Sequence, residues 1–164
     1  MTDLPLPPRD GADVEHVRTV PADTRGFSAS TRARVRAVDV LFEADSRGLS
    51  VKQIADERTR LSTAQTTLPE RSRALAVLFA AHADAVDDQL RMHSETWQLE
   101  RMPTADRAIL RLGIAELLFS DQNPPSAVLI KEYTDVAEAL STDGSARFVN
   151  ALLQRVADMK DLLQ

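Results

Sequence analysis

Apolar residues return every three or four positions along most of the chain, the spacing that places them on one side of an α-helix. In "STRARVRAVDVLFEAD", Val35, Val38, Leu41 and Phe42 form such a stripe from Ser30 onward, and Gly48 supplies a stop. Ser50 and Gln53 stand at capping-box spacing and open a second helix, "SVKQIADERTRL"; the polar "STAQTT" after it reads as a loop. Pro69, suited to a first helical turn, starts a third helix, which Leu75, Leu78, Phe79, Val86 and Leu90 carry unbroken to about His93. "SETWQLER" reads as a short helical turn. Pro103 and Thr104 open "TADRAILRLGIAELLF", apolar on most sides and therefore expected at the centre of the fold. "SDQNPP" breaks the chain before a sixth helix over 126–140, with Val128, Tyr133, Val136 and Leu140 inward. Ser145 is expected to cap the last helix, which runs to about Met159.

The pattern predicts an all-α chain of about six or seven helices without strands, in two small helical bundles packed together over residues 30–93 and 94–164. Residues 1–29, with Pro5, Pro7, Pro8 and Pro21 and few large apolar groups, read as a disordered tail. Composition agrees: 43% of the 164 residues are hydrophobic but only 4% aromatic, which favours helices over sheets. The absence of cysteine excludes disulfides and thiolate metal sites. A net charge of −5 excludes an indiscriminate nucleic-acid coat, so any such binding must come from a local basic patch. No apolar run approaches the ~20 residues of a membrane span, and the N-terminus has no hydrophobic segment of the secretory kind, so a cytoplasmic protein is expected.

Three features carry candidate chemistry, each beside a plainer structural reading. Arg25, Arg32, Arg34 and Arg36 lie in a stretch with no acid between Asp23 and Asp39. Guanidinium groups chelate phosphate oxygens in pairs; the same residues also suit an ordinary solvated helix face. Arg107 and Arg111, four apart, project from an otherwise greasy helix as either a contact surface or a solvated edge, with Asp106 in the first turn where a carboxylate complements the dipole. In "STDGSARFVNALLQRV", Arg147 and Phe148 fall at the mouth of the last helix, where free backbone donors suit a phosphate. Phe148 there either stacks an unpaired base or packs into the core. Asn150 reads as a structural amide satisfying the end of a neighbouring helix. Catalysis finds no support: His16, His82 and His93 lack metal-ligand spacing, and neither a glycine-rich nucleotide loop nor a nucleophile–base set stands out. No cofactor or metal is expected.

The stretches "RARVRAVDVLFEAD", "W....RMPTADRAILRLGIAELL" and "AVLIKEYTDVAEALSTDGSARFVNALL" follow one another in an order and at distances that resemble the NusB family of bacterial transcription antitermination factors, over roughly residues 31–156. The resemblance implies a non-enzymatic, all-α protein of two perpendicular helical subdomains. It implies binding to boxA RNA of ribosomal-RNA transcripts with NusE, a small-subunit ribosomal protein, and delivery to RNA polymerase with NusA and NusG. Some members of the family also self-associate as homodimers across the RNA face. With the basic cluster read alongside, the expected RNA contacts are Arg32, Arg34, Arg36, Arg111, Arg147 and Phe148; the expected partner contacts are Phe42, Glu100, Asp106 and Arg107. Four arginines on phosphates would give log K a slope of about −2.8 against log salt. The chain departs from the family pattern at Ser30 and Thr31, where arginines are common, at Gly144 in place of an acid, at Ala151 in place of a glycine and at Lys131 in place of an asparagine. The alternative is a helical accessory domain like that of certain ribosomal-RNA cytosine methyltransferases. The lack of glycine-rich strand–turn–helix signals, in a chain that stops at Gln164, argues against a catalytic part.

Overall fold

A computed structural model describes residues 26–60, 67–95, 97–121 and 124–163. Most of the expected tail, Arg25 and most of the "STAQTT" loop lie outside the described residues. Within them the chain is helical, with α1 (Ala29–Arg47), α2 (Val51–Arg60), α3 (Glu70–Ala81), α4 (Ala83–His93), a 3-10 turn (Leu99–Arg101), α5 (Thr104–Phe119), α6 (Ser126–Leu140) and α7 (Asp143–Leu162). None of these helices is long and apolar enough to cross a membrane.

Local chemistry sets most of the boundaries. Ser28 caps α1 by accepting a hydrogen bond from the Thr31 N–H at 3.1 Å. Gly48 ends that helix at φ 66°, a left-handed conformation that glycine adopts without a Cβ penalty. Ser50 accepts from the Gln53 N–H at 3.1 Å and so starts α2. The long third helix expected from the periodicity is instead two helices, α3 and α4. His82 breaks it: its N–H turns back to the Phe79 carbonyl, tightening the turn, while its ring stacks on Phe119 of α5 with centroids 3.9 Å apart. The cap of α7 also differs from expectation. Thr142 is the N-cap and Ser145 the residue it serves, the Ser145 N–H donating to Thr142 Oγ1 at 3.1 Å. On α6, Tyr133 and Val136 are fully buried as expected, whereas Val128 is 48% exposed, on the outer face beside a buried stripe that starts at Leu129 and Ile130.

α5 is the axle of the fold. Ile109, Leu110, Leu112 and Ile114 are fully buried, and α5 packs against α1, α3, α4, α6 and α7. It runs antiparallel to α1, with Glu116 opposite Arg34 and Arg107 opposite Asp45. It runs parallel to α7, with Asp106 opposite Ser145 and the Leu117 carbonyl opposite Lys160. Gly113 is the point of closest approach: a Cβ there would sit 3.1 and 3.2 Å from the Leu153 methyls and 3.4 Å from the Tyr133 ring. Gly113→Val is therefore expected to destabilise the protein by about 1–3 kcal/mol, read as a lower urea midpoint; an unchanged midpoint would mean that α7 does not press on this position.

Candidate nucleic-acid interface

The basic cluster divides according to which side of α1 each residue occupies. Arg34 shares the inward stripe with Val38 and Leu41 and is 1% exposed. Its Nε and Nη2 clasp both carboxylate oxygens of Glu116 at 2.9 and 2.6 Å. Its Nη1 donates to Ser30 Oγ at 2.6 Å and to Glu132 at 3.3 Å. The Tyr133 hydroxyl completes the cluster by donating to Glu116 at 2.7 Å. Burial works to lower the Arg34 pKa, but the Glu116 hydrogen bond and the surrounding negative charge raise it overall, so the guanidinium stays charged. Burial pushes the Tyr133 phenol well above its ordinary value, so it stays a donor. Arg34 is thus an internal tie between α1, α5 and α6, which corrects its expected role as an RNA contact.

Four more expected site residues turn inward. Arg111 clasps Asp87 at 2.8 and 2.9 Å, reaches Asp45 at 3.3 Å and lies 5.6 Å from the Phe79 ring centroid. Arg107 donates to Asp45 and to the Leu99 carbonyl, both at 2.9 Å, pinning the 3-10 turn to α1. Asp106 is fully buried and accepts from Ser141 at 2.8 Å and Ser145 at 3.0 Å. Phe42 lies in the core. Each meets a charge or packing need inside the bundle: Asp106 and Phe42 are buried, whereas Arg107 and Arg111, with side chains 16% and 17% exposed, are held by their carboxylate partners.

Two surfaces remain. At one end, Arg32 and Arg36 line a shallow cavity of about 460 Å³ with Ala29, Ala33, Val35 and Pro69. Arg71, two residues beyond Pro69, adds a cation 3.7 Å from Glu116; sequence reading did not single it out. At the other end, Arg147 projects from the start of the second turn of α7, exposed and unpaired among the described residues. Phe148 beside it is half-buried and meets Trp97 edge-on, with ring centroids 5.1 Å apart and planes at 70°. Phe148 thus rests partly on the core, while its neighbour Trp97 is 38% exposed. Trp97, in the "W....RMPTADRAILRL" stretch, was not singled out by the sequence, yet the fold places its ring against Phe148. Asn150 does not cap a helix end: it is exposed and donates to Thr134 in the middle of α6 at 3.3 Å. The two surfaces lie at different heights on α5, one level with Glu116 and the other near Asp106, a separation of about 15 Å at 1.5 Å per residue. α1 and α7 are not packed against each other. Of the expected partner contacts, Glu100 alone is well exposed, 3.7 Å from Arg91 and on the side of α4 that carries Asp88 and the exposed Met92.

The NusB family model matches residues 31–158, nearly all of the described helices. The chain belongs to the NusB family. It is 44% identical over 134 residues to the transcription antitermination protein NusB of Clavibacter michiganensis, covering 80% of this chain and 97% of that one. T. maritima NusB has a similar structure, with a TM-score of 0.65 at 28% identity, over 80% of this chain and 92% of the other. A NusB chain solved in a complex of NusB and NusE with double-stranded RNA shares the fold, with a TM-score of 0.63 at 23% identity, over 80% of this chain and 99% of that one.

The departures from the NusB pattern have local reasons. Ser30 and Thr31 serve the Arg34 network, Ser30 accepting from Arg34 and Thr31 donating to Glu132. Gly144 has open space around it, its Cβ direction meeting only Thr142 Oγ1 at 3.8 Å. Ala151 points to solvent, so no helix contact depends on it. Lys131 is exposed and pairs with Asp135 at 2.9 Å, one turn along α6.

Proposed function

We propose that the protein is a transcription antitermination factor that binds single-stranded boxA RNA jointly with NusE and joins RNA polymerase with NusA and NusG in the cytoplasm. The family match along residues 31–158 carries this reading. The solved complex of NusB and NusE with double-stranded RNA supports NusE and RNA as partners by analogy. The surface suits the task. Arg32 and Arg36 meet phosphates at one end; at the other, Arg147 meets a phosphate while Trp97 and Phe148 offer a ring for an unpaired base. NusE docks on the α4 side that bears Asp88, Met92 and Glu100.

With Arg32, Arg36 and Arg147 as the phosphate contacts, log K falls with log salt at a slope of about −2.1. A fourfold rise in salt then weakens binding about twentyfold, so charge alone is insufficient and NusE supplies the remaining affinity. The test is a titration of boxA and scrambled RNA with and without NusE. Preference for boxA that sharpens with NusE is expected; equal binding of both RNAs in the presence of NusE overturns the reading. Phe148→Ala is expected to weaken RNA binding about tenfold, and Trp97→Ala to act in the same direction. A Phe148→Ala protein with intact RNA affinity and a much lower melting temperature would assign the ring to the core alone.

A further inference from the structure

Between α6 and α7, beside the mouth of α7, lies an open groove of about 420 Å³ lined by Thr134, Glu138, Ala146, Arg147 and Asn150. Its hydrogen-bonding heads are of three kinds. Glu138 only accepts, Arg147 only donates, and Asn150 does both. Glu138 and Arg147 are exposed and share the groove; Glu138 makes no hydrogen bond with a described residue and only feels the charge of Lys131 along α6. Asn150 is held in one orientation: its Nδ2 donates to Thr134 Oγ1 at 3.3 Å, and the Thr134 hydroxyl in turn donates to the Ile130 carbonyl at 2.7 Å. The second amide N–H and the amide oxygen of Asn150 are left for a ligand. A purely structural asparagine on an exposed helix face needs no such anchoring.

We infer that this groove reads the Watson–Crick edge of an unpaired guanine, with Glu138 accepting from the base N1–H and exocyclic N2–H, Asn150 donating to O6, and Arg147 holding an adjoining phosphate. The choice of base follows from the donors. A carboxylate accepts two parallel hydrogen bonds, and guanine alone among the four bases presents two adjacent donors on that edge. Adenine sets its N1 lone pair against the carboxylate, cytosine its N3 lone pair, and uracil offers one donor flanked by two carbonyls. The inference rests on the RNA-binding reading above and names the residue that would give it sequence preference at this point. Glu138 is also a liability for indiscriminate RNA binding, because its charge opposes the phosphates that Arg147 attracts. A recognition role accounts for a carboxylate in that position.

The test uses the full chain with NusE and fluorescence anisotropy on oligouridine strands carrying one central guanosine, or inosine in its place. Inosine keeps N1–H and O6 but lacks the exocyclic amine. Guanosine is expected to bind about tenfold more tightly than inosine. In Glu138→Gln that ratio falls to about one, whatever happens to the absolute affinity. A wild-type ratio near one, or a ratio that survives Glu138→Gln, overturns the guanine site while leaving RNA binding by the protein in place. If the wild-type complex binds no strand, boxA RNA included, the antitermination reading fails and the groove assignment with it.

Discussion

Arg34→Ala lowers the melting temperature by roughly 6–20 °C, because removing one partner of a buried ion pair costs about 3–5 kcal/mol and each kcal/mol is worth about 2–4 °C in a chain of this size. The substitution strands the Glu116 carboxylate, 1% exposed, with the Tyr133 hydroxyl and the more distant Arg71 as its remaining company. It also frees Glu132 and Ser30, which Arg34 now engages. Thermal melts followed by circular dichroism decide the matter. A melting temperature within a degree or two of wild type, together with lost RNA binding, would return Arg34 to the RNA surface. The pair as a whole is replaceable in principle. Apolar residues of similar volume at both positions 34 and 116 should recover most of the lost stability, since desolvating two charges offsets much of their attraction. Tyr133 would then need a new acceptor, so recovery should be more complete when Tyr133→Phe is added.

The second large effect concerns Asp106. Burial holds its carboxyl above the ordinary 3.8, against the hydrogen bonds from Ser141 and Ser145 that lower it. A folded-state pKa above the unfolded value means that the folded chain binds the proton more tightly. Stability is therefore greatest below 3.8 and declines as pH rises through the folded pKa, so the ionised form at neutral pH carries a standing cost. Asp106→Asn keeps the shape and removes that cost. Its melting temperature relative to wild type should be more favourable at neutral pH than at acid pH. Asp106→Lys does the opposite by placing an ammonium in a fully buried site, with an expected loss of about 3–5 kcal/mol. RNA and NusE binding then fail together, through unfolding of the α5–α7 junction. Selective loss of NusE binding at an unchanged melting temperature would show instead that Asp106 reaches the partner.

The fold was legible wherever one helix face carried the signal. The stripes of α1, α5 and α6, the stop at Gly48 and the break before Ser126 all follow from spacing and caps, which act over a few residues. His82 was not legible, because the apolar rhythm from Phe79 to Val86 runs straight through it. The interruption comes from stacking against Phe119, a tertiary contact. The site was harder to read for a related reason. A charged residue in a helix pattern is counted as outward-facing, yet Arg34 stands on the inner stripe, and its partner Glu116 lies 82 residues away. Its spacing, four before Val38 and seven before Leu41, puts it on that stripe while Arg32 falls off it, but without Glu116 in view the charge still reads as outward. Arg111 and Asp106 misled in the same way, each balanced by acids or hydroxyls from another helix. Spacing alone put Arg147 and Phe148 in the first turn of α7, but the helix begins earlier, at Asp143, and the contact of Phe148 with Trp97 comes only through the fold.

The clasp that takes Arg34 away from RNA has a consequence for the arginines that remain. Thr31 and Arg34 fasten the opening turn of α1 to Glu132 on α6. A single-stranded transcript gives up a great deal of disorder when it settles on a surface. The scaffold beneath Arg32 and Arg36 has little left to lose, since its backbone was fixed at folding. Arg32 is itself held on the Phe27 carbonyl at 2.5 Å, so the protein gives up little further freedom there and the entropic toll falls chiefly on the nucleic acid. Loosening the clasp should weaken capture even though none of its members touches a nucleotide.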